Sequence, residues 1–158
     1  VAQNQGAKQY RRANRGFLQG FAITTAIGLG FSLLLGFFAQ PMVSLFLGDD
    51  LQSIPLGVSY LQLMAWFYFL SFIGHSYVGH YRGIGRMNIT FFGTTLQIVV
   101  RVIGTYLLVG AMGLDAVALS TGLGWVVIVL FHSTVYLLER RGIGYHLPSE
   151  DGPPPKQA

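Results

Sequence analysis

The sequence predicts an all-α membrane protein with four transmembrane helices. Of its 158 residues, 52% are hydrophobic and only 10% are charged, and the mean hydropathy is +0.52. A soluble domain of this size is more polar than that. Four nearly uncharged stretches can each supply the ~20 apolar residues that cross a hydrocarbon core of about 30 Å. No stretch alternates apolar and polar residues over the length of a barrel strand. The predicted spans are residues 17–40, 51–81, 88–109 and 116–138.

The basic residues predict the orientation of these spans. All ten Lys and Arg residues except Arg101 precede the first span, join the second to the third, or follow the fourth. In the other two connections the only charged residues are acidic: Asp49, Asp50 and Asp115. By the positive-inside rule, residues 1–16 are a cytoplasmic loop and residues 139–158 a cytoplasmic tail, partly disordered because of its Gly-Pro-Pro-Pro run. The expected location is the cytoplasmic (plasma) membrane, with both ends of the segment inside.

Local signals mark the ends of the spans. The first span ends before Pro41, and the short apolar run to Leu47 is expected in the outer interface. Asp50 or Ser53 is a plausible N-cap of the second span, and Asp115 of the fourth. Glycine-containing turns at 83–86 and 110–114 complete the connections.

Small residues recur at helical spacing in the first and fourth spans. Such stripes allow close helix packing in membranes, and packing is the favoured interpretation of both. We also expect His132 to lie near enough to the cytoplasmic end to reach water. The stripes are Gly20, Thr24, Gly28, Ser32 and Gly36 in the first span, and Ala116, Ser120, Gly124, His132 and Tyr136 in the fourth.

The third span carries a polar stripe on one face. Its members are Thr90, Thr94, Gln97, Arg101 and Thr105. At 1.5 Å per residue Arg101 lies about 18 Å into the membrane, where an arginine costs roughly 2.5–3.5 kcal/mol on insertion scales. It must therefore face protein or water, either as the wall of a polar pathway or as a buried group bonded to carbonyls at helix ends. Since the spans contain no acidic residue, a carboxylate partner would have to come from another segment.

One face of the second span combines aromatic and polar residues. Tyr68, Ser71 and His75 share it, and it continues to Gly79 and Arg82. The aromatic run 66–69 is suited either to stacking on a flat organic cation or to lipid and core packing. His75 and His80 lie near the cytoplasmic end, where a histidine is either simply solvated or part of a proton relay.

Catalytic and metal-binding motifs are absent from the sequence. There is no cysteine, no G-x-G-x-x-G after a strand, and no histidine at metal-ligand spacing with a carboxylate. The pI of about 9.6 follows from topology rather than from a nucleic-acid partner. We therefore expect neither an enzyme nor a bound metal or cofactor.

Three motifs follow one another along the chain. They are Gln3-Asn4-Gln5-Gly6-Ala7 with the basic run after it, Tyr81-Arg82-Gly83-Ile84-Gly85-Arg86, and Arg101 with Tyr106-Leu107-Leu108 and residues 113–121. They resemble motifs of the multidrug and toxic compound extrusion family of transporters, and together they cover residues 2–125. Ala2 stands where the family often has Gly, Ser120 stands where Ala is usual, and residues 55–80 lack the aspartate that one branch keeps.

The resemblance implies a twelve-helix transporter of two six-helix bundles, of which this chain is the last four helices. It implies an antiporter that exports cationic or amphipathic compounds against Na⁺ or H⁺, with the coupling ion bound mainly outside this segment. The expected partners are the lipid bilayer, the remaining eight helices and small organic cations. Candidate pathway residues are Thr94, Gln97, Arg101, Thr105, Tyr68, Ser71 and His75, and structural motif residues are Gln3, Asn4, Gly6, Ala7, Arg82, Gly83 and Gly85.

Two alternatives remain open from the sequence. One is a lipid-linked glycan flippase of the same superfamily, which favours a larger and more cationic cavity. The other is a free-standing four-helix membrane assembly module that transports nothing. A parent reading frame of about 450 residues would separate the transporters from the module, since domains of one bundle are far shorter.

Overall fold

The computed structural model describes residues 1–48 and 50–141, and these form helices and short connections without a strand. Asp49 and the predicted disordered tail beyond Arg141 lie outside the described residues. The helices are α1 (Ala2–Gly6), α2 (Tyr10–Phe37), α3 (Ala39–Leu47), α4 (Ser53–Gly83), α5 (Met87–Met112) and α6 (Asp115–Arg140).

The four predicted spans are confirmed as α2, α4, α5 and α6. Each is long and apolar enough to cross a membrane. α2 begins seven residues earlier than predicted, so that Arg11, Arg12 and Arg15 lie on its first turns rather than in a loop. It ends at Phe37 because the Pro41 ring would clash with the carbonyl of that residue. Pro41 instead falls in the first turn of α3, where its missing N–H costs nothing.

α4 and α6 form the centre of the bundle. α2 packs against α4, α4 against α6, and α6 against α5. In the most hydrophobic stretch of α6, 44% of the residues are buried, against 0% in α5. The outer faces of α2 and α5 are therefore left to lipid or to other protein segments.

The direction of each helix follows from the contacts along it. α2 and α4 are antiparallel, since the contacts of Gly28 with Phe72 and of Gly36 with Ala65 run in opposite order along the two helices. α4 and α6 are parallel, because Ser59 bonds to Asp115 and Tyr77 to Ser133. One end of the bundle therefore collects Arg82, Arg86, Arg140 and the basic turns of α2, and we call it the basic end. The opposite end carries Asp50 and Asp115, and we call it the acidic end.

The small-residue stripes act as packing faces, as predicted, except at Gly20, which is exposed and contacts no other helix. In α2, Gly28 lies against the Phe72 side chain, which a Cβ at position 28 would approach to 2.9 Å. Thr24 Oγ1 and Ser76 Oγ share a hydrogen bond of 2.6 Å, and Ser32 Oγ accepts one of 2.9 Å from the Phe69 amide. All five members of the α6 stripe are buried.

The prediction that His132 reaches water is wrong. Its side chain is fully buried, stacked at 5.5 Å from Tyr81, and it fills the space that Gly93 of α5 leaves open. His80 is also buried rather than solvated, under the Phe17 ring at 4.2 Å. Both histidines are close to the basic end, but neighbouring helices cover them.

The predicted N-caps differ from the observed ones, since the N-cap position of α4 is Gln52 and that of α6 is Leu114. Asp50 Oδ1 accepts hydrogen bonds from the amides of Gln52 and Ser53 at the start of α4, at 3.1 and 3.3 Å. Hydrogen bonds from the Ser53 side chain and from these two amides hold the pKa of Asp50 below its ordinary value. Asp115, by contrast, caps nothing in α6: it is the first residue of the helix, and its Oδ2 accepts a 2.7 Å bond from Ser59 Oγ. It ties α4 to α6 instead.

Labelling of single cysteines would test the predicted orientation. We expect cysteines at Gln9 and Asn88 to react only from the cytoplasm, and cysteines at Gln52 and Met112 only from outside, because the basic residues lie at one end. The chain has no native cysteine to interfere. Accessibility to a membrane-impermeant maleimide in intact cells and in inverted vesicles is the measurement. Labelling of position 88 in intact cells would contradict the four-span topology.

Candidate functional site

Two grooves with polar side chains in their lining lie on either side of one face of α4. The first groove, with a volume of about 360 Å³, lies between α2 and α4. The second groove, of about 230 Å³, lies where α4 and α5 meet over α6. Ser71 and His75 belong to both, so the predicted face of α4 is the ridge that separates them. The first groove is lined by Thr24, Tyr68, Ser71, Phe72, His75 and Ser76, and the second by Ser71, Gly74, His75, Val78, Arg82, Thr94, Gln97, Trp125 and Ile128.

His75 is the exposed titratable group on this ridge. Its Nδ1 lies 2.7 Å from the carbonyl oxygen of Ser71, one turn earlier in α4. Because a carbonyl can only accept, Nδ1 carries the proton and Nε2 is left as the nitrogen that can accept one. Nε2 of His75 can therefore accept a hydrogen bond from a donor group in either groove.

Aromatic rings form one end of the site. Tyr68 meets Trp125 of α6 and Phe72 of its own helix edge to face, each with ring centroids 5.8 Å apart. Trp66 of the same aromatic run is 78% exposed and lines neither groove. Of the aromatic run 66–69, only Tyr68 is placed where it could touch a ligand in these grooves.

The polar stripe of α5 divides into two parts. Thr94 and Gln97 line the second groove, beside Ser71 and His75. Arg101 and Thr105 line neither groove. Arg101 is exposed, and its guanidinium makes no hydrogen bond or ion pair with the described residues, so the alternative of bonds to helix-end carbonyls is not realised among them. The structure thus brings Ser71 and His75 together with Tyr68 in the first groove and with Thr94 and Gln97 in the second, and it leaves Arg101 and Thr105 apart.

Sequence reasoning missed part of the lining. Trp125, Gly74, Val78 and Ile128 belong to the second groove, and Thr24 with Ser76 to the first. Helical spacing from Ser71 and His75 could have extended the face to Val78. No local signal predicts Trp125, because its place depends on how α6 packs against α4.

The two loop motifs contact each other at the basic end. Gln3, Asn4 and Gly6 lie in α1, and Ala7 follows it as the C-cap. The chain then reverses at Lys8, which has a positive φ of 58°. Val1 packs so closely on Gly83 that a Cβ there would lie 3.1 Å from Val1 Cγ1, and Gly85 turns the chain into α5 with φ of 78°. These features involve Gly83 and Gly85 of the second motif and, on the first loop, Val1 and Lys8, which flank the motif residues.

Within the described residues, no group of three or more His, Asp or Glu side chains lies close enough to hold a metal ion. The grooves offer hydroxyl, amide, imidazole, guanidinium and aromatic groups instead. Such lining can bind an amphipathic solute through ring stacking and neutral hydrogen bonds.

Replacing Arg101 with leucine should change the stability of the protein in opposite directions, depending on whether Arg101 faces lipid or another protein segment. If its exposed side faces lipid, Arg101→Leu should stabilise the protein, because an insertion cost of roughly 2.5–3.5 kcal/mol disappears. If another segment covers it, each partner left unsatisfied costs about 1–3 kcal/mol. We expect the second result: lower expression in the membrane and a lower free energy of unfolding for Arg101→Leu and Arg101→Ala. Phe91→Leu and Val99→Leu, both exposed, serve as neutral controls, and an Arg101→Leu variant with raised expression and stability would contradict the expectation.

Comparison with known proteins identifies the family. A sequence model of the MatE family matches residues 1–107, which is more than half of the chain and includes both loop motifs, α2, α4 and the groove-lining part of α5. No curated protein and no solved structure matches. The fold agrees with this family, which consists of multi-helix transporters rather than enzymes. The chain belongs to the MatE family of membrane transporters.

Proposed function

We propose that this chain is part of a cation-coupled antiporter that exports cationic or amphipathic drugs and toxic compounds across the cytoplasmic membrane. The observation that carries the proposal is the pair of grooves meeting at Ser71 and His75. Polar groups at membrane depth are costly unless they face protein or water. A mixed aromatic and hydroxyl lining suits solutes that are themselves amphipathic, and such sites lie at repeat interfaces in transporters.

The coupling ion in this proposal is Na⁺ or H⁺, bound mainly by the other helices. Among the described residues, neither groove includes an Asp or Glu. In transporters Na⁺ is held by unwound backbone carbonyls and half-helix C-terminal ends, whereas the grooves are lined by residues within continuous helices. His75 is the group through which H⁺ could act here, since its Nε2 is available.

A test of the proposal uses the parent transporter in cells that lack other efflux pumps. Ser71 belongs to both grooves, so Ser71→Phe should obstruct both and abolish most efflux of a fluorescent organic cation. Leu130→Phe, at a position that is 61% exposed on α6, is the matched control and should behave as wild type. The coupling ion is H⁺ if a protonophore abolishes efflux, and it is Na⁺ if a Na⁺ ionophore does so. Normal efflux by Ser71→Phe would contradict the placement of the pathway.

A lipid-linked glycan flippase is the second candidate. The second groove favours it in one respect, because Arg82 could contact a phosphate, and Ser71, Thr94 and Gln97 could bond sugar hydroxyls. A single arginine is a small charge for a diphosphate carrier, and the first groove adds no further cation. Export of an organic cation by the parent, without complementation of a flippase-deficient strain, would favour the antiporter.

The four-helix module is the third candidate, and it leads to a prediction about autonomy. Expressed alone, residues 1–158 should insert in the membrane but confer no efflux, because transport sites need both repeats. The exposed Arg101 in mid-span supports a further protein segment beside α5. The measurement compares fluorescent-cation accumulation in cells with the chain and with an empty vector. Efflux above the vector would contradict the prediction.

A further inference from the structure

α2 has two faces of different character. Its inner face packs on the bundle, where Ala13, Phe17 and Gly28 are buried. On the opposite face runs an exposed stripe, which we call the outer stripe, and it begins at the basic end with Arg11 and Arg15. At spacings of three and four residues it continues with Leu18, Ala22, Ala26, Leu29, Leu33 and Phe37, all of them exposed.

The outer stripe has the length and polarity of a surface that faces lipid. From Leu18 to Phe37 its side chains are all apolar over about 28 Å at 1.5 Å per residue, close to the hydrocarbon thickness of about 30 Å. Arg15 lies about 4–5 Å beyond Leu18, and Arg11 about 10 Å beyond it. Since a headgroup layer is about 5–7 Å thick, Arg15 lies within that layer and Arg11 at its outer edge.

These two arginines have no counter-charge in the described part of the chain. The acidic residues there lie at the acidic end or, like Glu139, in the ion pair with Arg86. Arg11 and Arg15 are exposed and form no ion pair with the described residues. Arg12, also exposed and at the edge of the outer stripe, adds a third positive charge. This end of the stripe is therefore complementary to an anion.

From this arrangement we propose that the outer stripe binds an anionic phospholipid of the cytoplasmic leaflet, with the phosphate on Arg11 and Arg15 and the acyl chains along the apolar residues. Guanidinium groups bind phosphate oxygens through charge-assisted hydrogen bonds, and basic residues beside a membrane span attract anionic lipids. A further helix fits less well, because the membrane part of the stripe offers no polar group, unlike the α5 stripe with Arg101. The lipid site does not depend on which solute is transported.

Quenching of tryptophan fluorescence by brominated lipids measures this binding on the full chain in vesicles. Trp66→Phe with Trp125→Phe removes both native tryptophans, and Ala22→Trp places one reporter on the outer stripe, about 6 Å inside Leu18. We expect dibromophosphatidylglycerol to occupy the stripe at least about fivefold more readily than dibromophosphatidylcholine, since each basic residue near the surface contributes roughly fivefold. Raised salt should reduce this preference.

Leu33→Trp in the same background is the matched reporter at the other end of the outer stripe. It lies about 6 Å inside Phe37, where the stripe ends without a basic residue. The two brominated lipids should therefore quench it equally. A headgroup preference confined to the Ala22→Trp reporter assigns the anionic lipid to the basic end.

Removing the two arginines tests their role directly. In the Ala22→Trp protein, Arg11→Gln with Arg15→Gln should lower the lipid preference to less than twofold. Quenching by dibromophosphatidylcholine should stay unchanged, which shows that the variant still presents the stripe to the bilayer. Arg11→Lys with Arg15→Lys keeps the charge and should retain most of the preference.

Arg140→Gln with Arg141→Gln is the matched control, because it removes the same charge from the same end. Both arginines are exposed, but Arg140 follows the buried Tyr136 by one helical turn, so no lipid-facing stripe continues from it. This double variant should leave the lipid preference at the Ala22→Trp reporter unchanged.

Four results would overturn the proposal: a preference below twofold with both arginines present, an equal preference at the two reporters, an equal loss in the two glutamine double variants, or no quenching by either lipid. The last result would show that protein covers the stripe. Photo-crosslinking with a diazirine phosphatidylglycerol repeats the test in the parent transporter. There α2 should be labelled, at least fivefold less in Arg11→Gln with Arg15→Gln, and unlabelled α2 would overturn the site.

Discussion

Replacing Gly122 with alanine is expected to destabilise the bundle by about 3 kcal/mol, the upper part of the range for overpacked cores. A Cβ at position 122 would overlap the Phe67 ring and would lie 2.9 Å from the Phe67 Cβ. A rotamer change of Phe67 moves the ring but not the Cβ, so it cannot relieve the whole contact. The two central helices would have to separate, and this would also disturb the grooves on either side of α4.

Gly20→Ala in α2 is the matched control for this substitution. Gly20 is also inside a helix, but a Cβ there meets nothing within 4 Å. It should be neutral or stabilising by roughly 0.5–1 kcal/mol, because alanine is the better helix former. Unfolding in SDS followed by circular dichroism gives both values. Equal midpoints for Gly122→Ala and Gly20→Ala would show that α4 and α6 do not pack in this way, and Phe67→Ala should partly rescue Gly122→Ala.

The fold could be predicted from the sequence because a membrane places simple requirements on the segments that cross it. An uncharged stretch of span length must be a helix, since lipid offers no partners to an open backbone. The basic loops then predict the direction of every span, and the alternating helix directions bring those loops to one end. Faces with recurring small residues were read correctly as well, because close approach needs little beyond the absence of bulk.

Less of the site could be predicted from the sequence, because the site depends on which helices become neighbours. Tyr68, Ser71, His75, Thr94 and Gln97 were predicted from spacing on single helices, and each of them lines one or both grooves. Arg101 shares the α5 stripe with Thr94 and Gln97, yet it lies beyond the groove. Gln97 faces the second groove, whereas Arg101, one helical turn later, lies on an exposed surface. Helical periodicity does not predict where along α5 the neighbouring helix stops covering it.

The burial of residues near helix ends was also not predicted from the sequence. His80 and His132 were expected near water because they lie close to the basic end. Distance along a helix says nothing about the neighbours that cover it, and here Phe17, Tyr81 and Tyr136 enclose the two rings. The glycine at position 93 that admits His132 is visible in the sequence, but its partner is not.

Neutralising Arg86 is expected to cost about 2–3 kcal/mol of stability. Arg86 forms an ion pair with Glu139, whose side chain is only 6% exposed, so Arg86→Gln leaves a carboxylate buried without this cation. Breaking a fully buried pair costs about 3–5 kcal/mol. We expect less because Arg86 is 32% exposed and water can reach its side of the pair. The pair joins the turn before α5 to the last turns of α6, so its loss should loosen the basic end first.

A double-mutant cycle separates this pair from the general effect of removing an arginine. Arg86→Gln with Glu139→Gln restores a neutral hydrogen-bonding pair, and it should be more stable than Arg86→Gln alone. Arg82→Gln, four residues earlier and outside the pair, should change stability by less than about 0.5 kcal/mol, as most surface substitutions do. Unfolding in SDS and hydrogen exchange at the end of α6 are the measurements. If the double variant is no more stable than Arg86→Gln, the ion pair does not hold α6 to the turn, and the basic end must be fixed by the packing of Tyr81 and Tyr136 instead.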